Sequence, residues 1–254
     1  MTALPHKFER TVVIGAKPST VFSYFTDSAR WAKWWGAGST IDARPGGRVL
    51  IRYPNAVEAS GEVLEVAPTE RIVLTYGYAS GNPIPPGASR VTIWLEPCDA
   101  GTKVHLTHEF AEASVRDAHV QGWRFQLSVF ANVVSDEVHA DPAAIADRWF
   151  AAWAIAEAGE RDKTLAALVT TDVLFRDRYA LIEGAAELSA HIAASLQFMP
   201  GVRLQRRGDA RHCQGVLLAD WAAVASDGAE RMSGTNVFIL SPDGRIESVT
   251  GVYR

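Results

Sequence analysis

The sequence contains two cysteines in 254 residues, Cys98 and Cys213, too few and too far apart to form a disulfide scaffold. No CxxC pair or HExxH spacing occurs, so no metal is expected. No run approaches the roughly 18 uninterrupted apolar residues of a membrane-spanning helix, and the opening MTALPHKFERTVVIGA lacks the apolar core of about 7–15 residues found in a secretory leader. These absences lead to the expectation of a cytoplasmic protein with reduced thiols and no membrane partner. An excess of positive charge is missing as well. There are 25 Lys and Arg against 29 Asp and Glu, a net charge of -4, and the basic residues are scattered except in RLQRR, Arg203 to Arg207. Nucleic acid is therefore not an expected partner. Walker, GxGxxG and GxSxG patterns are absent too, and no cofactor is expected.

The chain is nevertheless rich in apolar material, with 48% hydrophobic and 21% charged residues over a length that suits one large domain or two ordinary ones. Two are expected, because the local grammar restarts once. FERTVVIGA reads as a strand, Pro18 opens a helix through STVFSYF, and SARWAKWWG is a second short helix stopped by Gly36. Between Ile41 and Phe110, runs of period-two character separated by turn residues suggest an antiparallel meander. Trp123, Leu127, Phe130 and Val134 then share one face of a long helix. At HADPAAIADRWF, Asp141 is placed as an N-cap and Pro142 in the first helical turn, so the domains are expected at 1–138 and 139–254. The second half reads as helices, the strand DVLFRD, another helix, and then long strands to the end. Helices first and an antiparallel sheet last specify an α+β cone around a blind pocket.

DVLFRDRYALIEG sets an acid between two arginines. Side chains alternate along a strand, so Val173, Phe175, Asp177 and Tyr179 share one face while Leu174, Arg176 and Arg178 share the other. An inward Asp177 would be a partly desolvated carboxylate suited to taking a proton from carbon; an outward one would pair with an arginine at the rim. Asp220, on a face with Leu218, Ala222 and Val224, is a second candidate inward carboxylate, or part of an exposed or dimer-forming strand. In KVHLTHEF, His108 lies with Leu106 and Phe110, either contacting a ligand or packed in the core. His105 is on the opposite face, so the two histidines cannot share a metal. Trp35, Tyr53, Tyr76, Trp94 and Trp123 either line a cavity or fill the space between helix and sheet.

Through PSTVFSYFTDSARWAKWWG, PGGRVLIRY, GEVLEVAPTERIVLTY and GWRFQLSVF, the first half resembles the helix-grip, START-like domains similar to the activator of the heat-shock protein 90 ATPase. Through ADRWFAAW, LAALVTTDVLFRDRYALIEGAAELSAHI and GTNVFILSPDGRIESVTGVY, the second resembles the SnoaL-like branch of the nuclear transport factor two superfamily, which implies a cone-shaped α+β barrel. The resemblance implies pockets for small hydrophobic or aromatic molecules. It implies Asp177 as a general base, with Asn236 where ketosteroid isomerases carry a protonated aspartic acid and Trp149 where they hold a tyrosine. Trp153, Phe175 and Tyr179 complete the expected pocket. A homodimer through the second domain is expected from the same likeness. The alternative is a non-enzymatic regulator whose first domain docks a protein partner, for which an exposed aromatic patch at WAKWWG would be the sign.

Overall fold

The computed structural model describes residues 3–254, and its contacts divide the chain into one unit ending at Glu137 and a second starting at Val138. The first unit runs β1 (His6–Ile14), α1 (Pro18–Ser23), α2 (Ser28–Trp35), β2 (Thr40–Ile41), β3 (Arg48–Arg52), β4 (Glu58–Ala67), β5 (Arg71–Tyr78), β6 (Ser89–Cys98), β7 (Gly101–Phe110) and α3 (Ala113–Val138). Its strands form one seven-stranded antiparallel sheet in the order β1-β7-β6-β5-β4-β3-β2. Alternation decides which face is covered. Along β7, Thr102, Val104, Leu106, His108 and Phe110 are buried, while Lys103, His105, Thr107 and Glu109 are only half covered. The stripe Trp123, Leu127, Phe130 and Val134 buries one side of α3, each such side chain contributing about 2 kcal/mol of burial.

Helix α2 starts where the Asp27 carboxylate accepts the Arg30 N–H at 2.8 Å. It stops at Gly36, with φ of 134°, where a Cβ would lie 2.2 Å from the Arg52 carbonyl oxygen. Between these ends Trp31 donates to the Leu50 carbonyl (3.2 Å) and Trp34 to that of Tyr24 (3.3 Å). With Trp35 they are 1–5% exposed, so WAKWWG presents no aromatic patch to solvent. The end of α3 is tied to the first two helices by Glu137, which accepts from Arg30 (2.6 Å), Lys33 (2.9 Å) and the Tyr24 hydroxyl (2.8 Å). Burial raises the pKa of this carboxyl, but the three donors outweigh that effect and lower it to about 2.

The second unit runs α4 (Pro142–Ala152), α5 (Ala158–Leu168), β8 (Val169–Arg176), β9 (Leu181–Glu183), α6 (Ala185–Phe198), β10 (Arg203–Cys213), β11 (Val216–Val224), β12 (Glu230–Leu240) and β13 (Ile246–Tyr253). Asp141 caps α4 by accepting the Ala144 N–H at 2.9 Å, with Pro142 in the first turn. The six strands lie in the order β10-β11-β12-β13-β8-β9. The expected barrel is thus an open sheet with β10 and β9 at its edges, and it is mixed, because β8 pairs with β13 in parallel. Trp149 and Phe150 of α4 pack with Val173, Phe175, Leu188, Ile192, Leu217, Phe238 and Val249 in its core. Buried Arg161 braces the helices, donating to Ser189 Oγ (2.9 Å) and to the carbonyls of Ile155 and Ala156 (3.0 and 3.1 Å).

Candidate functional site

The parallel pairing of β8 with β13 sets Phe175 beside Val249 and Arg176 beside Thr250. Across β13, Gly251 is opposite Asn236 and Tyr253 is opposite Gly234 of β12. Asp177, one residue past β8, therefore comes next to Gly251 and close to Asn236. A Cβ on Gly251 would lie 3.1 Å from the Asp177 Cβ and 3.4 Å from Asn236 Oδ1, so glycine leaves both polar groups their room. Asp177 is half-buried. Its Oδ1 accepts the backbone N–H groups of Tyr179 (2.7 Å) and Ala180 (2.8 Å), and its Oδ2 accepts the Tyr253 hydroxyl (2.9 Å). Burial, then the neighbouring Asp177, pushes the Tyr253 phenol well above its ordinary range, so it stays protonated and donates.

These groups border a pocket of about 650 Å³, open mouth included, walled by Trp149, Trp153, Phe175, Trp221, Leu196 and Met199. The indole nitrogens of Trp149, Trp153 and Trp221 are buried without a hydrogen-bond partner in the protein. Leaving a buried donor unmatched costs about 1–3 kcal/mol, and here three such donors belong to the walls of one cavity. Asn236, 5% exposed, also lines it. A carboxylate and an amide beside an apolar space can accept a proton from carbon and receive the negative oxygen that results, with the three unmatched indole N–H groups buried in the surrounding walls.

Several expected positions need correcting. Tyr179 is 69% exposed and outside the pocket. The strand stops at Arg176, and the Asp177 side chain closes a turn over Tyr179 and Ala180, which breaks the alternation. Asp220 faces away, because β11 turns Ala219 and Trp221 inward; it is held by Thr235 (2.5 Å) and Arg254 (3.0 Å). Tyr253, Trp221 and Gly251 are missing from the sequence-based set. The alternation of Val249, Gly251 and Tyr253 along β13 carries the signal for two of them.

The first unit has its own cavity of about 920 Å³, mouth included, bordered by Trp35, Tyr53, Tyr76, Tyr78, His119 and Trp123. The hydroxyls of Tyr53 and Tyr76 are 2.9 Å apart. Burial pushes the Tyr53 phenol up to about 12 and that of Tyr76 higher still. His108 does not reach this cavity. It is fully buried, with Nδ1 accepting from Trp123 Nε1 (2.8 Å) and Nε2 bonded to Ser89 Oγ (2.8 Å), and burial drives its pKa well below the ordinary value. Trp94 lies on the other face of the sheet, 41% exposed and stacked on His105 with ring centres 3.7 Å apart. Among the described residues no cluster of His, Cys, Asp and Glu could hold a metal ion.

A sheet closed over one long helix, with a cavity between them, defines the first unit as a helix-grip domain. Residues 15–135, within the first unit, match the family described as Activator of Hsp90 ATPase homolog 1-like protein. Solved structures similar to the chain include a SnoaL-like family protein of Agrobacterium tumefaciens, 25% identical over 46% of this chain and 98% of that one, with a TM-score of 0.43. An AHSA1 protein of Silicibacter pomeroyi is 24% identical over 50% and 95% of the two chains, with a TM-score of 0.42. The Aha1 dimer of Colwellia psychrerythraea is 16% identical over 49% and 92%, with a TM-score of 0.41. No curated protein matches the chain.

Proposed function

We propose that the second unit binds a small, largely apolar aromatic molecule bearing a carbonyl group, and that Asp177 acts on it as a general base. The carrying observation is a carboxylate oriented by Tyr253 and two backbone N–H groups at the wall of an apolar pocket whose three tryptophans keep unmatched indole N–H groups. Asp177 takes a proton from the carbon next to the carbonyl. The enolate oxygen so formed accepts from Asn236 and an indole N–H. The carboxylic acid then returns the proton to the same or another carbon, a step shared by isomerase, cyclase and hydro-lyase chemistry. The first unit is read as carrying a second apolar molecule in its own cavity.

Native mass spectrometry of the purified chain tests for a retained small molecule. The base is tested by hydrogen–deuterium exchange at the α-carbon of 2-tetralone, followed by NMR. Asp177→Asn should slow protein-dependent exchange by about a hundredfold or more; equal rates in both proteins overturn the assignment. A protein-docking regulator is the lesser reading, since Trp31, Trp34 and Trp35 are buried. A homodimer through the second unit and a cytoplasmic location belong to the same proposal, and sedimentation showing a monomer at micromolar concentration would reject the dimer. No helix among the described residues is long and apolar enough to cross a membrane.

A further inference from the structure

Four tryptophans are buried in the first unit, and three have their indole N–H matched. Trp31 donates to Leu50 O, Trp34 to Tyr24 O and Trp123 to His108 Nδ1. Trp35 is the exception, 5% exposed with its Nε1 buried and without an acceptor. It borders the cavity under α3, with its ring 5.6 Å from that of Trp123 and 5.9 Å from that of Tyr53.

Of the other polar groups of this cavity, Gln126 donates to the Trp34 carbonyl and Asn55 Oδ1 accepts the Val57 N–H at 3.2 Å, so the histidine and the tyrosines show what is left over for a ligand. His119 Nδ1 is 2.7 Å from the Val115 carbonyl, so it carries the proton, and Nε2 is left as an acceptor for the Tyr78 hydroxyl at 3.3 Å. Burial lowers the pKa of His119, which keeps the ring neutral. Tyr53 and Tyr76 share one hydrogen bond, which uses only one of their two phenolic protons. The lining contains no Asp, Glu, Lys or Arg, so no ion pair awaits a charged ligand, and an unpaired charge brought here would lose its hydration without compensation. At the mouth Phe125 is 68% exposed, an apolar surface that an occupant would cover.

We infer that this cavity recognises a neutral, flat aromatic ketone or ester whose carbonyl oxygen accepts the Trp35 indole N–H and the spare phenolic proton of the Tyr53–Tyr76 pair. This rests on reading the first unit as a ligand carrier and adds the chemical class of the ligand. The oxygen supplies the one acceptor that the buried indole lacks, and the aromatic body packs against Trp35, Trp123, Tyr53 and Phe125.

The test uses the full chain labelled with nitrogen-15 and two probes of the same shape: 2-acetonaphthone and 2-isopropenylnaphthalene, in which a CH2 replaces the carbonyl oxygen. The indole resonances of Trp35 and Trp123, assigned through bonds, report on this cavity alone. The ketone should move the Trp35 N–H downfield and bind about fivefold tighter than the hydrocarbon, the effect of one to two matched hydrogen bonds. In Trp35→Phe and Tyr53→Phe, followed at Trp123, that preference should shrink. Equal affinities with a stationary Trp35 proton would overturn the carbonyl recognition and leave a ligand carrier of another specificity. If neither probe disturbs either resonance, the carrier reading fails and the inference falls with it.

Discussion

The hydroxyl of Tyr253 donates to Asp177 Oδ2 at 2.9 Å, joining residues 76 positions apart in the chain. The bond reaches from the last residue of β13 to the residue just past β8. The phenol is held protonated by burial and by the acid it serves. In Asp177→Asn the phenol loses the neighbouring charge, so its pKa should fall towards the ordinary tyrosine range while staying above it, because burial persists. Tyrosine absorbance against pH, compared with Tyr253→Phe to isolate this residue, measures the change. Identical titrations in wild type and Asp177→Asn would separate the two groups.

Gly251 lies between Asp177 and Asn236 with no room to spare. Gly251→Ala places a methyl 3.1 Å from the Asp177 Cβ, closer than most carbon contacts, so the carboxylate must shift. A small displacement of a reacting group costs rate steeply, and proton-transfer activity should fall about tenfold to a hundredfold. The melting temperature should change by only a few degrees. Full activity in this variant would argue that the position of Asp177 is not critical.

His108 is buried as the neutral ring, and its folded pKa is depressed. Its contribution to stability is present in full above the ordinary histidine value of about 6.5 and is lost as pH falls below it, because the unfolded chain takes up a proton that the folded one refuses. Urea unfolding at pH 7.5 and 5.5 should show a loss of up to about 1.4 kcal/mol per pH unit in that window. His119, shifted in the same direction, adds to it. The dependence should flatten in His108→Gln; a slope unchanged by that substitution would place its origin elsewhere.

Glu137 acts in the same direction but in a lower pH window. Its folded pKa of about 2 lies below the ordinary carboxylate value, so its contribution is present above about pH 4.5 and is lost as pH falls towards 2. Glu137→Gln should cost about 1–2 kcal/mol at pH 7, the lower figure at high salt because Arg30 and Lys33 are 39% and 50% exposed. The two proteins should converge near pH 2. Denaturant midpoints across pH provide the check, and a constant gap would show that the loss is steric.

Local signals along the chain were sufficient wherever the controlling physics is local. Asp141 and Pro142 mark the start of α4, since capping and a fixed φ act within one turn. The spacing of Trp123, Leu127, Phe130 and Val134 marks the covered side of α3, since a helix repeats every 3.6 residues whatever packs on it. The alternation in β7 separates His108 from His105 for the same reason.

Alternation failed where a side chain redirected the backbone, as at Asp177, whose carboxylate closes a turn and turns Tyr179 outward. Pairing lay further still from the one-dimensional pattern. That β8 runs parallel to β13, bringing Asp177, Gly251, Asn236 and Tyr253 together, depends on a crossover between segments some 70 residues apart. The phase that turns Trp221 inward and Asp220 outward depends on the register of β11 against β12, as the use of both His108 nitrogens depends on Ser89 and Trp123 arriving from other elements. The sequence alone determined which segments are helix or strand and which of their faces are apolar, because propensity, capping and periodicity act over a few residues. Only the tertiary structure decided which polar groups meet, because strand register and crossover are chosen by the sum of long-range contacts that no local window contains.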